Sequence, residues 1–223
     1  MTERPPMPRT DAQVAATLAE LREVIAAEGR DDVTIVAVTK GFDRSAVECA
    51  ARVGFDVIGE NYAQELLEKS PLPDEVQAHF IGRIQRNKVR KIADIVDLWH
   101  SVSRPEVLVE LAKRSPAPRA LIQVAAADDP SKDGIDPKDL DMMLEVAHDH
   151  GVTIEGLMTI GVLGNDHRSA QSFRDLSRLA DSYGLIERSM GMSGDYRDAL
   201  AEGATMLRLG SALFGQRPTT GSV

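Results

Sequence analysis

VTIVAVTK, residues Val33 to Lys40, is a continuous run of apolar and β-branched residues that ends in a lysine. Without polar–apolar alternation, such a run fits a strand covered on both faces, as in a parallel sheet. Similar short runs recur along the chain: FDVI at 55–58, AHFI at 78–81, DLWHSV from Asp97, ALIQV at 120–124, VTIEGLM at 152–158, the segment around Arg188 to Met190, and TMLRL at 205–209. Helical patterns lie between them, over 45–53, 60–69, 87–93, 105–114, 137–150, 168–183 and 195–202. Strands alternating with helices imply a parallel sheet with right-handed crossovers. Eight such units predict a (β/α)8 TIM barrel, with an open doubly wound sheet as the topology that meets the same count. The seventh run is the weakest strand.

Upstream, Thr10 and Gln13 have capping-box spacing, and Val14, Leu18, Leu21 and Ile25 recur at helical intervals before Gly29. These predict an extra N-terminal helix ahead of the barrel. Residues 1–9, MTERPPMPR, carry three prolines and no periodicity, and are expected to form a flexible tail. The barrel domain is expected over 10–217, with a second flexible tail at 218–223.

The chain has 223 residues, 43% hydrophobic and 27% charged. That is ordinary globular composition and suits one domain, since single cores grow to about 250 residues before dividing. It sits near the lower end of the barrel range of about 200 residues. No apolar run approaches the ~18 residues of a membrane span, and no charged-then-apolar leader opens the chain. A cytoplasmic location is therefore expected. With Cys49 the only cysteine, a disulfide scaffold is excluded. A formal charge of −9 disfavours nucleic acid and points to a small ligand.

In a barrel the chemistry sits at the carboxyl ends of the strands. Lys40 stands there after the first strand. Desolvation disfavours its ammonium and frees a lone pair for Schiff-base formation with an aldehyde; the plain alternative is a lysine snorkelling to solvent. SMGMSGD, 189–195, places Ser193 between two glycines and ahead of a helix. Ser193 there suits a helix cap, and the free backbone N–H groups suit a phosphate. RLGSALFG, 208–215, puts Gly210 and Ser211 after the eighth strand. Barrels often bind phosphate in the loops after strands seven and eight. Arg208, between two leucines, needs a partner if buried, either a carboxylate of the protein or an acceptor on a ligand. Lysine plus phosphate loops describes two chemistries: a Schiff-base lyase acting on a small phosphorylated substrate, or pyridoxal phosphate. Spacing alone does not choose.

Several segments together resemble the pyridoxal phosphate homeostasis protein family, single-domain relatives of the alanine racemase N-terminal barrel. They are AVTK at 37–40, GENYAQE at 59–65, HFIGRIQRNK at 79–88, HSV at 100–102, the K-x-G within SKDG at 131–134, GLMTI at 156–160, SMGMSGD at 189–195 and RLGSALFG at 208–215. Their order covers the chain from Val33 to Arg217. No single motif decides, but the set is specific.

The resemblance implies a cofactor, pyridoxal 5'-phosphate, held on Lys40 as an internal aldimine. It further implies phosphate contacts from Ser193, Gly210 and Ser211, Asn61 beside the cofactor, and Arg208 facing the pyridine nitrogen. A guanidinium can only donate, so it leaves that nitrogen without its own proton and makes the ring a poorer electron sink. The family reading is a carrier or buffer in vitamin B6 and, indirectly, amino-acid homeostasis, without established turnover of its own. The implied partners are apo-enzymes that use the cofactor, and a monomer is favoured because no long apolar helix face is left over. The enzyme alternatives are an amino-acid racemase and the cofactor-free lyase. A racemase of this type needs a second acid–base residue from another domain, for which this chain is expected to be too short.

The chain departs from the family pattern at Ala125, where asparagine is usual, at Asp129, near a usual glutamate, and at Ser211, where threonine is frequent. Arg83 to Lys91 holds five basic residues in nine, read as a solvated helix face without the aromatics that base stacking needs. His79, His100, His148, His150 and His167 have no metal-ligand spacing. Cys49 is read as core, and Met158, Met190 and Met192 as core or ligand-facing.

Overall fold

The computed structural model describes residues 4–126, 133–162 and 164–216. The elements run α1 (Asp11–Ala27), β1 (Thr34–Val38), α2 (Arg44–Val53), β2 (Val57–Glu60), α3 (Ala63–Lys69), β3 (Gln77–Phe80), α4 (Arg86–Ile92), β4 (Leu98–Val102), α5 (Pro105–Arg114) and β5 (Arg119–Gln123). A 3-10 turn (Pro137–Asp139) then leads to α6 (Leu140–Asp149), β6 (Thr153–Met158), α7 (Asp166–Ser182), β7 (Glu187–Ser189), α8 (Tyr196–Ala201), β8 (Met206–Leu209) and α9 (Ser211–Phe214). All strands pair in parallel and in chain order, and the sheet closes because β1 also pairs with β8, from Thr34 opposite Met206 to Ala37 opposite Leu209. The closed barrel resolves the choice left open by counting. As expected, β7 is the weak strand, only three residues long.

Two apolar layers build the core. Val36, Val57, Leu98, Leu121, Met158 and Met206 form a small cluster inside the barrel, and a much larger cluster fills the space between sheet and helices. Strand alternation makes this division, since every second side chain points to the other face. In β1, Val36 joins the inner cluster while Ala37 joins the outer one. Helix α1 carries the expected capping box of Thr10 and Gln13 and buries Val14, Leu18, Leu21 and Ile25. It packs beside α2 and α9. Cys49 is fully buried, and burial, followed by the Asp11 carboxylate, pushes its thiol up to about 12.

The structure differs from the sequence expectations at several places. The helix expected from residue 60 begins at Ala63, because Glu60 still pairs with Phe80 in the sheet. Strand β2 starts later than expected, since the Phe55 N–H instead closes the end of α2 on the Ala50 carbonyl. The short α9 was not expected. Part of the expected N-terminal tail is fastened: the Pro5 carbonyl accepts from the Asp43 N–H, and Arg9 Nη1 donates to the Ala212 and Leu213 carbonyls at 2.6 and 3.2 Å. A guanidinium is suited to the carbonyls that a helix leaves unpaired at its end.

One close contact makes a test of the barrel wall. Gly156 pairs with Glu187 where β6 meets β7, and a β-carbon there would overlap the Glu187 carbonyl. Gly156→Ala is expected to push the short β7 away and cost about 3 kcal/mol. In a chain of this size that lowers Tm by about 6 to 12 °C, which calorimetry reads; an unchanged Tm would contradict the packing.

Candidate functional site

Alternation along the first strand carries Val36, Val38 and Lys40 to one side. Val36 ends in the inner cluster, and Val38 and Lys40 line a cavity of about 390 Å³ at the carboxyl ends of the strands. Asn61 reaches the same cavity from just beyond β2, and Arg208 from within β8. Ser193 comes from the loop after β7, and Gly210 and Ser211 from the turn into α9. All six residues singled out from the sequence therefore line one cavity. Its remaining wall includes Phe42, Ile81, Met158, Ile160 and Met192. Among the described residues it is lined by two basic side chains and no carboxylate.

Close backbone contact sets Asn61. A β-carbon on Gly82 would overlap the Asn61 carbonyl, so glycine is the residue that lets these two loops touch. The Asn61 Oδ1 is buried and has no hydrogen-bond partner among the described residues. Ser193 does not cap α8 as expected. Its Oγ accepts from the Ala212 N–H at 3.1 Å and so ties the loop after β7 to α9. Asp195 serves the first loop instead, accepting from the Met192 N–H at 2.6 Å.

Arg208 is buried, and its hydrogen-bond partners among the described residues are not carboxylates. Nη1 donates to Ser189 Oγ at 2.7 Å and Nη2 to the Thr159 carbonyl at 2.8 Å. Burial lowers its pKa to about 10, against the opposing pull of Asp195. Behind it runs a polar chain inside the barrel: Ser189 Oγ lies 2.9 Å from His100 Nδ1, and His100 Nε2 lies 2.9 Å from His79 Nδ1. An arginine only donates, so Ser189 accepts from it and has its own proton left for His100 Nδ1. In that arrangement His100 carries its proton on Nε2 and donates it to His79 Nδ1. Burial, with a smaller contribution from Arg119, pushes the His79 imidazole down to about 3. Burial also holds His100 well below its ordinary value, helped by His79 and Arg208.

A second group was missed in the sequence. Glu60, Glu65 and Lys69 are buried between β2 and α3. Lys69 Nζ donates to Glu60 Oε1 at 2.6 Å and to the Thr39 carbonyl at 2.8 Å, while Thr39 Oγ1 donates to the same Glu60 oxygen at 2.5 Å. The Gly41 N–H donates to Glu65 Oε2 at 2.6 Å. Burial pushes the Glu60 carboxyl up, opposed by Lys69. Nothing local in the sequence marks these partners, because they meet only across strand and helix.

Other expectations fall elsewhere. Of the Arg83–Lys91 stretch, Arg86 onward lies in α4, with Val89 and Ile92 buried and Arg86, Arg90 and Lys91 exposed, as a solvated helix face requires; exposed Arg83 stands in the loop before it. Met190 is in the core, whereas Met158 and Met192 reach the cavity. No three histidine, cysteine or carboxylate side chains converge as a metal site among the described residues. Ala125 donates its N–H to the Ile135 carbonyl; Asp129 and Lys132 of the K-x-G element lie outside the described residues. Among the described residues, no helix is long and apolar enough to cross a membrane.

A closed parallel barrel with a lysine after its first strand and small-residue loops after its last two has the architecture of the alanine racemase N-terminal domain, whose family model matches residues 12–218. Alanine racemase of Corynebacterium glutamicum shares the fold, with a TM-score of 0.71 at 17% identity over 96% of this chain and 63% of that one. Nearer relatives are matched over almost their whole length. The pyridoxal phosphate homeostasis protein of Deinococcus radiodurans is 37% identical over 90% of this chain and 99% of its own length. That of Pseudomonas aeruginosa is 38% identical over 92% and 94%. The chain belongs to the pyridoxal phosphate homeostasis protein family. The structure of PipY from Synechococcus elongatus with PLP bound aligns with a TM-score of 0.78 at 33% identity, covering 91% of this chain and 100% of that one.

Proposed function

We propose that the cavity binds pyridoxal 5'-phosphate and that the protein carries or buffers it in the cytoplasm, as a monomer. The observation that supports this most is the convergence of Lys40, Arg208 and the two small-residue loops on one cavity with no carboxylate in its described wall. Such a lining suits an anion attached to a planar apolar body, and the volume lies in the range of small-molecule sites. The orphaned Asn61 Oδ1 offers an acceptor within the same space. These residues fit the cofactor.

When bound, pyridoxal phosphate supplies an aldehyde carbon that one amine takes up and another can later remove. Lys40 is the amine that would hold it. The hydroxyls of Ser193 and Ser211, with backbone N–H groups around Gly210, would hold the phosphate. Arg208, oriented by Ser189 and Thr159, would face the ring nitrogen and deny it a proton, which weakens carbanion chemistry. No tyrosine, histidine, cysteine or carboxylate lines the described cavity. A racemase needs a second proton carrier opposite the lysine, so the wall favours carriage. Apo-enzymes that use the cofactor are the proposed acceptors.

Equilibrium dialysis of purified protein against pyridoxal phosphate tests the binding, with one equivalent per chain expected. Loaded protein is expected to reactivate an apo-enzyme, and to exchange no α-hydrogen of an added amino acid with deuterated water. Absent binding would end the proposal, and exchange with turnover would replace carriage by catalysis. Ser193→Ala removes a hydroxyl from the phosphate end and the tie to Ala212. It is expected to raise Kd about tenfold, the loss of one bond to a charged group; an unchanged Kd would place the phosphate elsewhere.

A further inference from the structure

The buried carboxylates and lysine between β2 and α3 spend their hydrogen bonds on the backbone either side of Lys40. Thr39 is held twice, through its hydroxyl by Glu60 and through its carbonyl by Lys69. Gly41 is held through its N–H by Glu65. Lys69 bridges Glu60 directly and lies 3.8 Å from Glu65. Its own carbonyl accepts from Arg44 Nη1 at 2.5 Å, which adds α2 to the assembly. Glu60 is also the residue before Asn61, so the cluster joins two walls of the cavity from behind.

An ion pair kept for stability alone is a poor bargain in such a place. Removing two charges from water costs several kcal/mol, and well-packed apolar residues of similar volume often do as well or better. Here the arrangement also leaves Glu60 Oε2 buried without a hydrogen-bond partner among the described residues. What apolar residues would not reproduce is the grip on a carbonyl, a hydroxyl and an N–H within three consecutive residues.

We propose that Glu60 and Lys69, with Glu65, are positioning residues that clamp Thr39 and Gly41 and so hold the Lys40 amine at the cavity. The proposal deepens the binding function above and rests on it for its consequence at Lys40, while the clamp itself is observable without any cofactor.

The experiment therefore has two arms. In the first, hydrogen–deuterium exchange is followed at the Gly41 amide in cofactor-free protein, for wild type, Lys69→Met, the uncharged pair Glu60→Gln with Lys69→Met, and Glu65→Leu. Each variant is expected to speed exchange at Gly41 about tenfold or more while leaving the amides of α5 and β5 unchanged, the pattern of a local rather than global opening. In the second arm, pyridoxal phosphate is added, reduced with borohydride and located by peptide mass mapping. The share trapped on Lys40, relative to surface lysines, is expected to fall about tenfold in the same variants. Thr39→Val is expected to lose part of this capture and Thr39→Ser to restore it, because the serine keeps the hydroxyl that Glu60 accepts.

Unchanged Gly41 exchange, or equal acceleration at Gly41 and at the distant amides, would overturn the clamp and leave a stabilising ion pair. Accelerated exchange with undiminished capture on Lys40 would overturn the positioning role. If Lys69→Met does not fold, the uncharged pair and Glu65→Leu give the same reading without a lone buried charge. A wild type that traps nothing on Lys40 would refute cofactor binding there, and positioning for it, while the exchange arm still decides the clamp.

Discussion

Lys40→Ala is expected to give a folded protein that stays colourless with pyridoxal phosphate, where the wild type turns yellow and borohydride fixes the label on Lys40. The alanine should fold, because Lys40 stands beyond the end of β1 and the clamp holds Thr39 and Gly41 on either side of it. Affinity is expected to fall by about two orders of magnitude or more, about 2.8 kcal/mol at 1.4 per tenfold. It should not vanish, since Ser193, Ser211 and Arg208 remain to hold an anion. Dialysis should therefore still find weak binding that competes with inorganic phosphate. A yellow Lys40→Ala would move the reactive amine to another lysine. A colourless wild type after incubation would instead remove the cofactor and leave Lys40 as a cofactor-free Schiff-base lysine or the end of a strand.

Acid is expected to unfold the protein earlier than its carboxylates would. His79 is held neutral by burial down to about 3 in the fold, whereas an unfolded histidine takes its proton near 6.5. The contribution is therefore complete above about 6.5 and is lost as pH falls toward 3, because protons bind the unfolded chain first. His79 alone brings a loss of up to about 5 kcal/mol across that window, and His100, shifted in the same direction, adds to it. Against a total stability of about 5 to 15 kcal/mol, that is enough to unfold the chain in mild acid. Urea midpoints at pH 8, 6.5, 5.5 and 4.5 test it. Stability should be level above 6.5 and fall steeply below, and His79→Gln should make the fall shallower by about one proton. A profile that stays level down to 4.5 would mean that the histidines are charged in the fold.

The sequence disclosed the barrel because repetition survives local error. Eight apolar runs were read within a few residues of their strands, and only the closure of β1 on β8 needed coordinates. It also disclosed Lys40, Asn61, Ser193, Arg208, Gly210 and Ser211 as companions on one cavity, because a shared fold puts strand ends together. Less legible was what each residue does to its neighbours. Ser193 had the position of a helix cap, yet its hydroxyl crosses to Ala212. His79 and His100 look unremarkable in AHFI and DLWHSV, although counting alternate residues inward from Leu98 would have paired them inside the barrel. Nothing beside Glu60, Glu65 or Lys69 in the sequence marks them as partners, because burial of a charge depends on the other side of a strand.

The fastening of Arg9 to the last carbonyls of α9 has a practical side. Helix α9 begins at Ser211, in the cavity wall, and Gly215 and Gln216 beyond its other end also line that wall. The first and last described stretches of the chain thus meet at the same rim, with Pro8 packed against Gly215. A substitution at Arg9 or Pro8 would therefore disturb the cavity rim from the far end of the sequence. Binding constants measured on Arg9 variants would then report the shape of the rim as well as the cavity's own contacts.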